Sequence, residues 1–256
     1  MESTITIGNT SVFYREKGQG KTILILHGWG SNSSQWEGVQ DSLVELGFRV
    51  IVPDLPGFGR TKEPSSPWNI KDYTVFIRNF ITALNLYPHA LVGHSFGGRI
   101  AISYTHEYGK ELGALVLCNA AGILRHKKEK VNLFLFLTKI GNLIFSIPFL
   151  RFARPPLRKL LYKVTGSQDY YQADGNMREI FKRVLSENLR SHLPHITTPT
   201  LILWGEHDVI TPLQDARIIH ESIPQSYLHV FPGVGHGINL EIPDKVAEYI
   251  STFVRS

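Results

Sequence analysis

Short, largely apolar runs recur along this chain, separated by longer stretches whose apolar positions return every three or four residues. The runs are Ile23–Leu26, Val50–Pro53, Ala90–Val92, Leu115–Leu117, Thr200–Trp204 and Tyr227–Phe231. Helical spacing appears near Gln35–Leu46, Lys71–Leu84 and Gly98–Tyr108, and an amphipathic stretch near Asp244–Phe253 closes the chain. A continuous apolar run bounded by turn residues reads as a strand covered on both faces, and strands alternating with helices predict a mostly parallel sheet between helical layers. The first twenty residues differ. Thr4-Ile5-Thr6-Ile7 and Val12-Phe13-Tyr14 alternate polar and apolar around Gly8-Asn9, the pattern of a hairpin.

One segment interrupts the alternation, from about Gly122 to Arg190. Leu133, Leu137, Ile140, Ile144 and Ile147 follow helical spacing with Phe136 and Leu143 alongside, and Pro148, Pro155 and Pro156 divide the segment into separate helices. Val131–Leu150 is long enough to span a bilayer, but Asn132, Lys139, Gly141, Asn142 and Pro148 lie within it. Inserting Lys139 alone would cost about 2.5–3.5 kcal/mol, so a helix packed on the protein is the favoured reading. An interfacial helix with Arg151, Arg154, Arg158 and Lys159 near lipid headgroups is the second.

Composition narrows the picture. The 256 residues, 43% of them hydrophobic, suffice for one substantial core with an inserted segment. The single cysteine, Cys118, falls in an apolar run, where it reads as a buried strand residue and can form no internal disulfide. Met1–Gly8 shows no basic stretch followed by an apolar one, so no secretory signal is expected and cytoplasmic residence is the expectation. The net charge of +5 is unevenly spread. The Gly122–Arg190 segment holds fourteen Lys and Arg against five Asp and Glu, a local +9, and the remainder carries −4. No nucleic-acid-binding module accompanies this charge, so a nucleic-acid partner is not expected.

Candidate chemistry sits at the ends of the apolar runs. Ala90-Leu91-Val92 leads into Gly93-His94-Ser95-Phe96-Gly97-Gly98, a strand ending in Gly-x-Ser-x-Gly that opens into a helix. That turn thrusts Ser95 out of the sheet edge, and the glycines allow the backbone to approach its neighbours. A serine hydroxyl needs an adjacent base to act as a nucleophile, and the base needs an orienting acid. The strand Thr200–Trp204 ends in Gly205-Glu206-His207-Asp208, and Tyr227–Phe231 leads to Gly235-His236-Gly237. Ser95, Asp208 and His236 are thus the candidate nucleophile, acid and base, each just beyond the carboxyl end of a strand, where open α/β sheets place their sites. Glu206, two residues before Asp208, is the alternative acid. The backbone N–H groups of Trp29, in His27-Gly28-Trp29-Gly30, and of Phe96 are the candidate oxyanion donors. Their side chains, with Phe136 and Leu143, are candidate substrate contacts. His27 and His94 read as loop-organising residues, His207 and His229 as surface or packing residues, and Asp54 as a turn-former bonding its own backbone.

Through His27–Gly30, Asp54-Leu55-Pro56-Gly57-Phe58-Gly59, Gly93–Gly98, Trp204–Asp208 and Gly235-His236, the chain resembles the α/β-hydrolase superfamily along nearly its whole length. The order Ser95, Asp208, His236 is that family's order. The motifs most resemble pimeloyl-[acyl-carrier protein] methyl ester esterases and related small carboxylesterases, and a serine at the elbow disfavours the dehalogenase and epoxide hydrolase branches. The resemblance implies an α/β-hydrolase fold, a mostly parallel eight-stranded sheet flanked by helices. Residues 1–121 and 191–256 would form the core and 122–190 an inserted helical cap. It also implies a serine carboxylesterase needing no metal or organic cofactor and expected to be a monomer or weak dimer. Alternatives within the fold are thioester hydrolysis, carbon–carbon bond hydrolysis, perhydrolysis as a side activity, and a slow-turnover ligand receptor. The basic cap has three readings: an unevenly charged solvated surface, a dock for an acidic carrier protein, or a contact with anionic membrane.

Overall fold

The apolar runs become the strands of one sheet because each carries side chains that both faces can bury. The computed structural model describes residues 1–124 and 175–255. Its strands are β1 (Glu2–Ile7), β2 (Thr10–Lys17), β3 (Thr22–Leu26), β4 (Arg49–Pro53), β5 (Pro88–His94), β6 (Ala114–Cys118), β7 (Thr200–Gly205) and β8 (Ser226–Phe231). They form one eight-stranded sheet in the order β1-β2-β4-β3-β5-β6-β7-β8. β1 and β2 pair antiparallel across the Gly8-Asn9 turn, with Ile7 opposite Thr10 and Gly8 at φ 58°. β2 also runs antiparallel to β4, and the pairings from β4 through β8 are parallel.

Strand side chains alternate between faces, which divides the interior into two cores. Leu24, Leu26, Leu91, Leu115 and Leu117 enter one, and Ile23, Ile25, Val92, Val116 and Cys118 enter the other. The second core is closed by α1 (Glu37–Glu45) and a C-terminal helix, Pro243–Arg255, through Val39, Leu43, Val246 and Ile250. The first is closed by α2 (Ile70–Ala83), α3 (Phe96–Tyr108), α4 (Gly175–Ser186) and α5 (Leu213–Ser222). A four-residue helix, α6 (Ile238–Glu241), precedes the C-terminal helix, α7. α2 begins with a reciprocal cap: Asp72 N–H donates to the Asn69 side chain at 3.0 Å, and Asn69 N–H donates to Asp72 Oδ2 at 2.8 Å.

The chain leaves the sheet after β6 and returns before β7 through a closed neck. Leu189 N–H donates to the Gly122 carbonyl at 3.0 Å, and Leu124 N–H reaches Asn188 Oδ1 at 3.4 Å. α4, within the span expected to be cap, sinks Met177, Ile180 and Val184 into the first core. The expected cap helices between Val131 and Leu150, the substrate contacts Phe136 and Leu143, and Arg151, Arg154, Arg158 and Lys159 lie outside the described residues. Among the described residues no helix is long and apolar enough to cross a membrane.

Candidate active site

The strand order reverses between β4-β3 and β3-β5, and such a switch point opens a crevice beyond the strands' carboxyl ends. β3 and β5 therefore deliver the Trp29 loop and the Ser95 turn side by side. Ser95 has φ 51° and ψ −113°, a conformation L-residues rarely adopt. Its N–H donates to the Cys118 carbonyl at 3.2 Å, and its carbonyl accepts from Ala121 N–H at 3.0 Å, pinning the turn to the end of β6. The flanking glycines are there for close approach. A Cβ on Gly93 would sit 2.6 Å from the Gly97 carbonyl oxygen, and one on Gly97 would overlap the Leu26 carbonyl. Ser95 occupies the N-cap of α3, yet its hydroxyl makes no capping hydrogen bond. Serine at that position ordinarily accepts from the first-turn N–H groups; here it does not.

Asp208 follows β7 and its side chain is wholly buried. Oδ1 accepts from Ile210 N–H at 2.8 Å and Thr211 N–H at 2.9 Å. Oδ2 accepts from His236 Nδ1 at 2.7 Å, lies 2.6 Å from Thr211 Oγ1, and accepts from Asn119 Nδ2. Burial alone would push the carboxyl up. The His236 hydrogen bond and charge, together with the Thr211 donors, outweigh burial and hold it below the usual carboxylate range. Glu206 faces elsewhere, accepting from Gly233 N–H at 3.1 Å with its side chain about half exposed. The carboxylate against the imidazole is Asp208.

His236 lies beyond β8 on a loop held from several sides. Val234 O accepts from His207 N–H at 2.9 Å, Gly235 N–H donates to Glu241 Oε2 at 3.0 Å, and His94 Nε2 donates to the His236 carbonyl at 2.9 Å. His236 engages Asp208 through Nδ1. His94 is lowered to about 4, by burial first and then by the neighbouring His236, so it stays neutral as a hydrogen-bond donor. His27 is fully buried and likewise lowered to about 4 by burial. Its Nε2 accepts from Leu55 N–H at 2.9 Å while Nδ1 donates to the Gly28 carbonyl at 2.8 Å, which fixes both the tautomer and the loop. Both histidines organise loops, as their positions suggest. Asp54 does so over a longer reach than expected: it accepts from Ser33 N–H at 2.7 Å and Arg60 N–H at 2.8 Å rather than closing its own turn.

Of the loop and turn hydrogen bonds among the described residues, none is donated by the N–H of Trp29 or Phe96. The Trp29 ring packs against Phe58 at 4.8 Å, Phe96 at 5.3 Å and Phe181 at 4.8 Å between centroids. These rings form an aromatic cluster around Trp29 and Phe96, the residue after Ser95.

The family described as alpha/beta hydrolase fold matches residues 21–243. This chain belongs to the α/β-hydrolase fold family. Among its relatives, AB hydrolase superfamily protein YisY of Bacillus subtilis is 30% identical, with 97% of each chain covered. A 2-hydroxy-6-oxo-2,4-heptadienoate hydrolase of Pseudomonas putida is 25% identical over 93% of this chain and 90% of its own. The solved esterase EaEST of Exiguobacterium antarcticum superposes with a TM-score of 0.77 at 27% identity, with both chains fully covered. One of these is named an esterase and another a dienoate hydrolase, so membership supports hydrolysis as the reaction class and leaves the bond open.

In this α/β-hydrolase the structure brings Asp208 and His236 into contact beyond β7 and β8 and sets Ser95 and Phe96 beyond β5 and Trp29 beyond β3, along the same edge of the sheet. Phe58 and Phe181 join the aromatic cluster without having been singled out in the sequence. Phe58 stands in the Pro56-Gly57-Phe58-Gly59 motif, which could have flagged it, whereas Phe181 has no local signal. Asn119 and Thr211 were also missed, and both reach Asp208 from outside its motif. A cavity of about 770 Å³ lies at the opposite end of the sheet, between the amino ends of the strands near Lys21, His89, Ala114 and Ser226. Volume therefore does not mark the site.

Proposed function

We propose that this chain is a serine hydrolase of carboxylic esters, with Ser95 as nucleophile, His236 as general base and Asp208 as the acid that orients it. One observation carries the reading. The Ser95 hydroxyl is released from the capping role its position offers, at the edge of the sheet where an ionised Asp208 holds His236 at 2.7 Å. His236 takes the Ser95 proton as the oxygen attacks the ester carbonyl. The Trp29 and Phe96 N–H groups hold the oxyanion, each such donor contributing about 10²–10³ in turnover. His236 then protonates the departing alcohol, and water cleaves the acyl-Ser95 by the reverse sequence. Asp208 keeps the proton on Nδ1 and stabilises the imidazolium. The cluster of Trp29, Phe58, Phe96 and Phe181 favours an apolar acyl group.

Hydrolysis of a p-nitrophenyl ester chain-length series by the wild type and Ser95→Ala tests this. Ser95→Ala should lose at least about 10³-fold in kcat. Turnover that survives in Ser95→Ala would remove the nucleophile. A thioester and a carbon–carbon substrate such as a 2-hydroxy-6-oxo-dienoate in the same assay separate the other bonds this fold cleaves. Arg151, Arg154, Arg158 and Lys159, the basic residues expected to meet an acidic carrier or anionic membrane, lie outside the described residues.

A further inference from the structure

We infer that Asn119 is a positioning residue for the acid–base pair, its amide holding Asp208 and the loop before His236 together. The inference rests on the serine-hydrolase reading above and assigns a task to a residue outside the three motifs. Asn119 is the first residue beyond β6, is fully buried, and has φ 44°. Asparagine is among the few residues that tolerate this left-handed conformation. From there its amide reaches the ends of two further strands, β7 and β8. Nδ2 donates to Asp208 Oδ2 and to the Gly235 carbonyl, the latter at 3.1 Å, while Oδ1 accepts from Gly205 N–H at 3.2 Å. Turning the amide over would aim its oxygen at a carboxylate and a carbonyl and its NH₂ at an N–H, so only one orientation is satisfied. The backbone is engaged too. Asn119 N–H donates to the Leu203 carbonyl at 3.0 Å, and its own carbonyl lies 3.0 Å from Thr211 Oγ1.

Two effects follow at the oxygen that matters. Asp208 Oδ2 is the atom that receives His236 Nδ1. Beside Thr211 Oγ1 on the same oxygen, the Asn119 donor helps hold the carboxylate in line with the imidazole. It also draws off part of the carboxylate's charge, which limits how strongly Asp208 favours the protonated imidazole, the form that cannot act as a base. The contact to Gly235, the residue before His236, sets the base loop against the same amide. Asn119 touches no substrate, so its effect belongs in kcat and in the pH profile rather than in KM.

Two variants separate this role from simple stitching of strands. Asn119→Gly keeps the left-handed backbone and deletes the amide. Asn119→Asp keeps the shape and the acceptor for Gly205 N–H and deletes the donors. Both are measured for p-nitrophenyl ester turnover and for the rate at which a fluorophosphonate labels Ser95, between about pH 5 and 9, beside thermal midpoints. Both should lower kcat and the labelling rate roughly tenfold to a hundredfold with KM little changed. The acid limb of each profile should move up by about half a pH unit or more, further in Asn119→Asp, where a second carboxylate is added. Wild-type rates and profiles in either folded variant, whatever the loss of thermal midpoint, would reduce Asn119 to a structural tie and overturn the inference alone. A wild-type Ser95 that neither labels nor turns over ester would overturn the serine-hydrolase reading and this assignment with it.

Discussion

Ser95 holds a backbone conformation that only glycine adopts freely, and strain of this kind costs about 1–3 kcal/mol. Its neighbours impose that strain: Cys118 and Ala121 clamp the peptide from the end of β6. Ser95→Gly should therefore unfold at a higher denaturant concentration than Ser95→Ala, by about 1 kcal/mol, because glycine relaxes φ and alanine does not. Coincident midpoints for the two variants would show that the turn stores no strain at this residue. Ser95, Asp208 and His236 could be read from the chain because each stands at the glycine-marked end of an apolar run. Asn119 could not. Its partners Asp208 and Gly235 are 89 and 116 residues away in sequence, and an asparagine after a strand has no signature that distinguishes a turn from a clamp.

At the scale of elements, β3 to β7 were legible because both faces of the sheet are buried there, which leaves nearly uninterrupted apolar runs. Apart from α3, which is buried on all sides from Phe96 to Thr105, the helices were legible for the opposite reason, since each buries a single stripe. What a stripe packs against is a different matter. α4 carries Met177, Ile180 and Val184 on one face, and its placement in the span expected to be cap gives no hint that this face joins α2 and α3 in the first core. A periodic stripe reports that something is covered and is silent about the partner. α2 is instead specified locally at its start, where Asn69 and Asp72 satisfy each other's N–H groups. Asn69→Ala should lower stability by about 1 kcal/mol, and Asn69→Ser, which restores an acceptor, should recover most of it. Equal denaturation midpoints for the wild type and Asn69→Ala would show that the 2.9 Å hydrogen bond from Ile70 N–H to Glu187 suffices to fix the helix start.

For the whole molecule, the two buried loop histidines tie folding to pH. His27 and His94 are held near 4 by burial, against 6.5 in an unfolded chain. Between those values the unfolded chain binds protons that the folded one does not, so stability falls as pH drops from about 6.5 toward 4, by roughly 3 kcal/mol per histidine over the full range. Asp208 acts in a separate window. Its folded value is depressed below 3.8, so its contribution is present above that value and is lost only as pH falls further. Urea midpoints should therefore decline as pH falls from about 6.5 toward 4; a flat profile there would mean that both histidines accept a proton without unfolding the chain. The neck between Gly122 and Leu189 bears on how such a protein diversifies. A segment whose two ends already touch offers the sheet the same anchor points whatever chain runs between them, and doubling its length costs only about 0.6 kcal/mol in closure entropy. Chain can be lengthened, trimmed or exchanged between those two anchor points at little cost to the strand registers on either side.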